Sequence, residues 1–457
     1  MGRIPADEEE SMGTAASNAL DVSVVILAAG QGTRMKSRRS KVLHELAGRA
    51  MVGFPVALAR ALSRREPVVV VGRDAEDVQA ALAGQARFVL QAEQRGTGHA
   101  VLCAHEALAE ASDAILVLYG DTPLLRLESL REMVALFRDG ADLVMLTSPE
   151  PLPGVVVRDA AGRVERIVEL TDATPEEARI QEGNTGVYLL RPELLWKGLA
   201  QVGDCNAQGE IYLTDVVGYS TSQGKRVEAL KLESAEDCLG VNTRAELAAA
   251  AAVVRRRKCE ALMAEGVSIV DPANTYLDVD VEVGRDTLIE PGCVITGTTV
   301  IGESAHIKPH CTIEDSLLGD EVVIGPSAHL RPGSELGRGC RIGNFVEVKN
   351  SKLAAGVKAD HLAYVGDADV GEGSSFGCGA ITVNYDWDAK HRTTVGRDVR
   401  VGCNANLVAP VTLADGAVVA AGSTITQSVP EESLAVARAR QRNVEGWRAR
   451  RRVGRQE

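Results

Sequence analysis

A glycine-rich turn at residues 30–35 is the first segment whose residue types could carry out chemistry. It reads Gly-Gln-Gly-Thr-Arg-Met, it follows an apolar run, and Lys41 comes shortly after it. Glycines let the backbone approach a phosphate closely, and the N–H groups of such a turn can hold phosphate oxygens. Arg34 and Lys41 add positive charge for oxygens that become more negative as pyrophosphate leaves. The turn therefore predicts a site for a nucleotide triphosphate.

Strands that alternate with helices are expected to position this turn. The predicted strands are Val22–Ala28, Val68–Val71, Ala114–Tyr119 and Leu143–Leu146, and the predicted helices include Met51–Ser63 and Thr97–Ala111. This alternation indicates an α/β domain with a Rossmann-like parallel sheet and crossover helices. Ligands of such sheets bind beyond the carboxyl ends of the strands, which is where the turn falls.

The second half of the chain has a six-residue period, which fits neither a helix nor an isolated strand. The aliphatic positions are Val283, Ile289, Ile295, Ile301, Ile307, Ile313, Leu318, Ile324, Leu330, Leu336, Ile342, Val348, Val370, Phe376, Val395, Val401, Leu407, Leu413, Val419 and Ile425. The period predicts a left-handed parallel β-helix of hexapeptide repeats, in which three hexads close one triangular coil. At about 4.8 Å per coil, roughly seven coils are expected. Such prisms serve as structural rods or as acyltransferases.

Two interruptions of the period, at residues 350–369 and 384–394, predict loops that leave the prism. Loops of this kind commonly carry function. The resulting organisation is a disordered extension at 1–21, a nucleotidyltransferase domain at 22–244, a helical linker at 245–266, the β-helix at 267–447 and a basic tail at 448–457.

Composition narrows the class of protein. The formal net charge of −13 argues against general nucleic-acid binding, so the basic runs at 255–258 and 448–455 are interpreted as solvated faces. The nine cysteines form no CxxC pair, which favours reduced thiols in the cytoplasm over a zinc site or a disulfide framework. No apolar run is long enough for a membrane span, and residues 1–20 do not resemble a signal peptide.

Four segments of the first half together resemble the sugar-nucleotide pyrophosphorylase family. Residues 27–35 read Leu-Ala-Ala-Gly-Gln-Gly-Thr-Arg-Met, residues 91–99 read Gln-Ala-Glu-Gln-Arg-Gly-Thr-Gly-His, residues 119–121 read Tyr-Gly-Asp, and residues 240–242 read Gly-Val-Asn. The resemblance implies binding of UTP by Leu27, Ala28, Ala29, Gly30, Arg34, Lys41, Gln91, Gly96, Thr97, Tyr119, Gly120 and Asp121. It also implies that Asp121 and Asn242 hold Mg²⁺, which completes its octahedron with water and phosphates.

The same resemblance implies sugar contacts at Gly154, Glu169 and Asn184. Two of these lie in segments that match the family well. The segment around Gly154 departs from it, because the family usually has Tyr before this glycine and Arg after it, where this chain has Pro153 and Val155.

Over residues 22 to about 448 the chain resembles the bifunctional N-acetylglucosamine-1-phosphate uridyltransferase/glucosamine-1-phosphate acetyltransferase family. That resemblance implies a cytoplasmic homotrimer, dependent on Mg²⁺, that makes UDP-N-acetylglucosamine for bacterial cell-envelope synthesis. Acetyl-CoA acetylates glucosamine 1-phosphate, and UTP then accepts the product and releases pyrophosphate.

The acetyl-transfer residues implied by this resemblance lie in the second half of the chain, and several of them fall in the two interruptions. His361 is the expected general base, since a histidine titrates near neutrality and can take the proton of the attacking amine. The sugar-phosphate and acetyl-CoA contacts are expected at Arg331, Lys349, Tyr364, Ser375, Cys378, Asn384, Tyr385, Lys390, Cys403, Ala421 and Arg438. Three of these depart from the commonest family pattern: Ser375 replaces Asn, Cys378 replaces Ala and Cys403 replaces Ser.

Three readings of the chain stay open at this point. The first is the two-step enzyme, in which an acetyl-enzyme on Cys403 is a conceivable variant. The second is a pyrophosphorylase whose prism only trimerises or regulates, and against it stand His361, Arg331 and Lys349. The third is a scaffold with a dead nucleotide site, and against it stand the intact Lys41 and Asp121.

Overall fold

The protein is described by a computed structural model, and the structure describes residues 20–203, 206 and 208–453. The extension predicted at 1–21 lies outside these residues except for its last two positions, and so does the end of the basic tail. The chain divides into two compact units between Val254 and Arg255.

The first unit is an α/β domain. Its strands are β1 Val22–Ala28, β2 Glu45–Leu46, β3 Arg49–Ala50, β4 Val68–Val71, β5 Arg87–Leu90, β6 Ala114–Tyr119, β7 Leu143–Ser148, β8 Gly154–Arg158, β9 Val164–Glu169, β10 Gly183–Leu190 and β11 Val227–Lys231. Its helices are α1 Gly53–Leu62, α2 Ala75–Ala81, α3 Thr97–Cys103, α4 Leu127–Arg138, α5 Pro192–Gln201 and α6 Asp215–Ser222.

The central sheet has the order β11-β7-β10-β6-β1-β4-β5, and the β8–β9 hairpin is attached to β10. The prediction of a parallel sheet was wrong for part of it, because β10 runs antiparallel to β6 and β7, and β8 pairs antiparallel with both β9 and β10. The sequence of β10 was singled out only for a predicted sugar contact. Nothing in its residues indicates the direction in which the strand runs. Helices cover both faces of the sheet, and β1 therefore buries every side chain along its length.

A long helix, α7 Arg244–Ala264, occupies the segment where a helical linker was predicted over 245–266. Gly266 follows it with a φ of +96°, a conformation that favours glycine. The solvated-face interpretation of the basic run on this helix was wrong in part. Arg255 stacks over the Tyr276 ring at 4.4 Å, and the Lys258 ammonium donates to the Val279 carbonyl at 3.0 Å. These long side chains pack their stems against the first coils of the second unit.

The second unit is the left-handed parallel β-helix, with three faces of in-register parallel strands. The first face holds Ser268–Ile269, Leu288–Ile289, His306–Ile307, Val323–Ile324, Arg341–Asn344, Lys358–His361, Ser375–Phe376, Arg400–Val401, Val418–Val419 and Leu434–Ala435. The second holds Tyr276–Leu277, Val294–Thr296, Thr312–Glu314, His329–Leu330, Glu347–Lys349, Tyr364–Gly366, Ile381–Val383, Asn406–Val408 and Thr424–Ile425. The third holds Glu282–Val283, Val300–Ile301, Leu317–Leu318, Glu335–Leu336, Lys352–Leu353, Ala368–Val370, Thr393–Val395 and Val411–Leu413.

Every aliphatic position of the predicted six-residue period is buried in the prism, with an exposed fraction of 9% or less. Stacked residues such as Ile289, Ile307 and Ile324 are fully enclosed. The core thus grows by one small aliphatic layer per coil, which explains why few aromatic residues are needed.

The prism is longer than the seven coils predicted, since its described part carries ten, nine and eight strands on the three faces. The prediction that residues 350–369 leave the prism was wrong. They form strands of all three faces, with Leu353, Ala359 and Val365 pointing inward. This coil was missed because its inward residue Ala359 is small and because the spacing to the preceding coil is one residue shorter than the six-residue period requires. The second interruption is a loop, between Ile381–Val383 and Thr393–Val395.

The described part of the basic tail contains a further helix, α8 Trp447–Val453. Among the described residues, the helices all fall short of the length and apolar character that a bilayer crossing requires.

Candidate active sites

A cavity of about 260 Å³ opens at the carboxyl ends of β1, β5 and β6 in the first unit. Predicted nucleotide-binding residues line it: Leu27, Ala28, Ala29, Gly30, Lys41, Gln91, Gly96, Thr97, Tyr119 and Asp121. A neighbouring cavity of about 370 Å³ shares Ala28, Ala29 and Gly30. Residues far apart in sequence are therefore brought to one edge of the sheet, as the crossover topology requires.

The Lys41 ammonium lies between the two predicted metal ligands. It donates to Asp121 Oδ2 at 2.5 Å and to Asn242 Oδ1 at 2.9 Å, and the lysine is 8% exposed. A carboxylate oxygen and an amide oxygen thus converge on one cationic nitrogen. Oxygen ligands of this kind suit Mg²⁺, so the residues present fit the implied metal.

Backbone contacts hold these two oxygens in place. The Val241 N–H donates to the Asp121 carbonyl at 2.9 Å, which ties the two loops together. Glu246 accepts from the N–H groups of Asn242 and Thr243 at 2.7 and 2.8 Å, and its own N–H donates to the Thr243 hydroxyl at 3.2 Å. This capping box at the start of α7 fixes the backbone of Asn242.

The predicted base-recognition segment is packed against residues 211–213. Gly96 has a φ of +99°, and a Cβ there would lie 2.7 Å from the Ile211 carbonyl oxygen, so only glycine fits. The Thr97 hydroxyl accepts from the Leu213 N–H at 3.2 Å. Gln91 donates to the Gly96 carbonyl at 3.3 Å. Close packing and hydrogen bonds therefore hold the backbone of this segment in place beside the cavity.

The three predicted sugar contacts meet at the β8–β9 hairpin. Gly154 pairs with Glu169, and a Cβ on Gly154 would lie 3.3 Å from Glu169 Oε1 and 3.5 Å from Asn184 Cβ. Burial raises the pKa of Glu169, and the nearby Asp215 and Asp172 carboxylates raise it further. The Tyr188 hydroxyl donates to Asn184 Oδ1 at 2.9 Å, which orients that amide.

Two of the predicted nucleotide-binding residues do not line the cavity, and two polar residues that line it were not predicted. Arg34 is exposed in a short 3-10 turn and does not line the cavity, and Gly120 packs on Ala28 instead. Gln94 and Glu210 line the cavity without having been predicted, and the Gln94 amide donates to the Ala29 carbonyl at 2.5 Å. Gln94 lies in the segment 91–99, so the sequence resemblance could have identified it. Glu210 lies in no recognised motif and could not have been identified in this way.

In the second unit, one corner of the prism carries a column of predicted acetyl-transfer residues. This first corner lies between the first and second faces. Asn344 pairs with His361 on the next coil, and the register is continuous across the corner to Cys378, Cys403 and Ala421. Successive members of the column are separated by about 4.8 Å, the spacing of neighbouring strands.

His361 is exposed and is oriented by one side-chain contact. Its Nδ1 lies 2.8 Å from Asn344 Oδ1. An amide oxygen accepts, so this contact places the proton of a neutral imidazole on Nδ1 and leaves Nε2 able to accept one. A cavity of about 210 Å³ borders both residues, together with Arg341 and Asp360.

The opposite edge of the second face carries the predicted phosphate contacts. Arg331 and Lys349 lie where strands of this face end, and Arg331 pairs with Glu347 at 2.9 Å. The approach of Lys390, together with burial, lowers the pKa of Lys349, although Asp367 acts in the opposite direction. Two ammonium groups and a guanidinium therefore gather where an anion would relieve their repulsion.

Asp367 is a buried carboxylate that sequence reasoning missed. It accepts from the Asn350 amide at 2.5 Å and from the Asn384 amide, and Lys349 lies 4.0 Å away. Burial tends to raise the pKa of Asp367, but these hydrogen bonds and the charge of Lys349 outweigh burial and lower it. Asp367 thus holds Asn384, whose amide also lies 3.3 Å from the Tyr364 hydroxyl.

The remaining predicted contacts lie in the loop after Val383 and on the first face. Tyr385 and Lys390 form a bridge across this loop, and the Tyr385 hydroxyl donates to the Trp387 carbonyl. Ser375 is half-buried on its strand. The Arg438 guanidinium donates to the Ala421 carbonyl at 2.8 Å, at the end of the first-corner column.

Comparison with known proteins identifies both halves. Residues 24–183 match the MobA-like NTP transferase domain, and residues 280–315 and 315–350 match the bacterial transferase hexapeptide (six repeats). The fold and sites therefore define a transferase with a nucleotidyltransferase domain and a hexapeptide-repeat domain.

Relatives over the full length narrow this class. The bifunctional protein GlmU of Pelobacter propionicus is 46% identical over 94% of this chain and 98% of its own. GlmU of Trichlorobacter lovleyi is 45% identical over 93% and 97%, and that of Geobacillus sp. 47% over 93% and 96%. The chain belongs to the GlmU family of bifunctional proteins, as the sequence resemblance predicted. It is an enzyme with both the uridyltransferase and the acetyltransferase activity.

Proposed function

We propose that the chain makes UDP-N-acetylglucosamine at two separate sites, with the residue roles given below. Acetyl-CoA acetylates glucosamine 1-phosphate on the prism, and UTP then reacts with the product in the first unit. The observation that carries the first site is the convergence of Asp121 and Asn242 on one cationic nitrogen. One assay tests the whole proposal, in which free thiol and pyrophosphate are followed separately with glucosamine 1-phosphate, acetyl-CoA, UTP and Mg²⁺.

At the uridyltransferase site, the turn at residues 28–30 cradles the triphosphate with backbone N–H groups. Gln91, Gly96 and Thr97 hold the base and ribose, and Gly154, Glu169 and Asn184 hold the sugar. Asp121 and Asn242 would hold Mg²⁺, which supplies charge compensation for the leaving pyrophosphate. Lys41 is close enough to the same point to contribute positive charge to the phosphates.

At the acetyltransferase site, His361 takes the proton of the attacking amine on Nε2, because Asn344 holds its Nδ1. Arg331, Lys349 and Lys390 bind the phosphate of the acceptor. Tyr364 and Asn384 position the sugar, and Asp367 acts as a positioning residue through its bond to Asn384. Tyr385, Ser375, Cys378, Cys403, Ala421 and Arg438 are assigned to the acetyl-CoA side.

We also assign the chain to a homotrimer. The proposed acetyl-transfer residues lie on the open outer surface of one prism, where His361, Cys378 and Cys403 are exposed and Arg331 is 41% exposed. A substrate of the size of acetyl-CoA needs a second wall, which a neighbouring prism would supply. We place the enzyme in the cytoplasm, where its nucleotide and thioester substrates are found and where structural disulfides are rare, in keeping with its free cysteines.

A chain that ends at Gly266 is expected to keep uridylyl transfer and to lose acetyl transfer. Among the described residues, the buried clusters of the first unit end at Cys238, whereas the core of the prism begins at Cys259. The first unit should therefore fold without the prism. Pyrophosphate release from UTP and N-acetylglucosamine 1-phosphate measures the first activity, and acetyl transfer by the shortened chain would contradict the assignment.

Replacement of Gly343 by alanine is expected to cut acetyl transfer at least about tenfold and to leave uridylyl transfer unchanged. A Cβ on Gly343 would overlap the Asp360 carbonyl oxygen on the next coil, so the backbone that carries His361 must shift. A displacement of about 1 Å at a reacting group is enough to cost a large factor in rate. Release of CoA is the measurement, and pyrophosphate release by the same sample is its control. Unaltered CoA release would show that this coil does not position the site.

A further inference from the structure

Two exposed cysteines lie side by side at the first corner of the prism. The strands before and after this corner keep one constant offset between the two coils, since Phe376 pairs with Val401 and Ile381 with Asn406. Cys378 therefore lies directly opposite Cys403. The Asn404 N–H also donates to the Cys378 carbonyl at 2.8 Å, which joins the two coils at this point.

The spacing of this pair suits a disulfide. In-register residues on neighbouring coils have Cα atoms about 4.8 Å apart, and disulfides span about 4.4–6.8 Å between Cα atoms. Among the described cysteines, Cys378 and Cys403 are the exposed ones, whereas Cys293, Cys311 and Cys340 are buried in the prism. Low-molecular-weight disulfides can therefore reach this pair most readily.

We propose that Cys378 and Cys403 form a redox-active dithiol that closes the acetyltransferase site when it is oxidised. The thiolate of one cysteine attacks a small disulfide such as glutathione disulfide, forms a mixed disulfide and releases one thiol. The second cysteine then attacks the protein sulfur of that mixed disulfide and releases the second thiol. The protein loses two electrons and two protons, and the small disulfide is reduced to two thiols.

The consequence for activity follows from the position of the pair in the column. His361 lies opposite Cys378 on the preceding coil, and Ala421 lies opposite Cys403 on the following one. A disulfide bond would draw the two sulfurs together on the surface assigned to acetyl-CoA and link the two coils there, so that neither side chain could move aside for the substrate. This part of the inference rests on the proposed acetyltransferase site, whereas bond formation itself does not.

The first test detects the bond in the full-length protein. The reduced enzyme is incubated with excess glutathione disulfide, alkylated and digested with trypsin, which places Cys378 in the peptide 359–390 and Cys403 in the peptide 401–438, each with no other cysteine. A disulfide-linked pair of these peptides is expected, and dithiothreitol should remove it. Its absence at full exposure to glutathione disulfide would overturn the proposal.

The second test separates the two activities of the same oxidised sample. Acetyl transfer is expected to fall at least about tenfold and to return with dithiothreitol, whereas uridylyl transfer stays at its reduced value. Each variant, Cys378→Ala or Cys403→Ser, is compared with its own reduced activity and should lose the response to glutathione disulfide. A linked pair without loss of acetyl transfer would overturn the proposed control and the placement of acetyl-CoA. A response that persists in both variants would assign it to another thiol.

Discussion

Replacement of Asp121 by asparagine is expected to lower pyrophosphate release at least about a hundredfold while acetyl transfer stays intact. The carboxylate is one of two oxygens that meet the Lys41 ammonium, at 2.5 Å. An amide at this position has the same shape but no charge, so it removes the charged one of the two ligands proposed for Mg²⁺. Loss of such charge compensation costs several kcal/mol of transition-state stabilisation.

The measurement is pyrophosphate release from UTP and N-acetylglucosamine 1-phosphate over a range of Mg²⁺ concentrations. Asp77→Asn is the matched control, since Asp77 is an exposed carboxylate on α2 of the same domain. The wild-type enzyme with a chelator should resemble the Asp121 variant. Normal turnover in that variant would refute the metal assignment.

His361→Ala is expected to produce the opposite result. CoA release should fall by about 10²–10⁴-fold, the usual effect of losing a general base. UDP-N-acetylglucosamine should still form when N-acetylglucosamine 1-phosphate is supplied, because the two sites lie in different units of the chain.

The control for this variant is His310→Ala, which removes another exposed histidine of the prism and should leave both activities unchanged. If both activities fell together, His361 would have a structural role and the assignment as a base would be wrong.

Local patterns in the sequence predicted some features of the fold and missed others. The turn at 30–35 and the strand end at Asp121 could be placed, because a parallel sheet brings its carboxyl ends to one edge. The convergence of Lys41 with Asp121 and Asn242 depends on the fold of three distant segments, so no local pattern contains it. The direction of β10 likewise depends on its neighbours and not on its own residues.

In the prism, too, residues that depend on neighbouring coils could not be predicted from a local pattern. The six-residue period identified most of the aliphatic layers, and all of the residues that it identified are buried. The coil that contains Ala359 was misread as a loop because its inward residue is small and its spacing shifts by one residue. Asp367 was missed for a different reason, since its importance comes from amides on Asn350 and Asn384 that belong to neighbouring coils.

The loop between Val383 and Thr393 leaves the prism and returns without disturbing its register. Thr393 pairs with Ala368 as if no residues intervened, and the strands on either side keep their partners. The stacking of the coils is therefore independent of the length of the loop that projects from them. Insertions or deletions in this loop can therefore change the surface proposed to bind the acceptor without changing how the coils stack, and residues of the first-corner column can be exchanged one coil at a time. Substrate preference can therefore evolve on this prism while its folding remains unchanged.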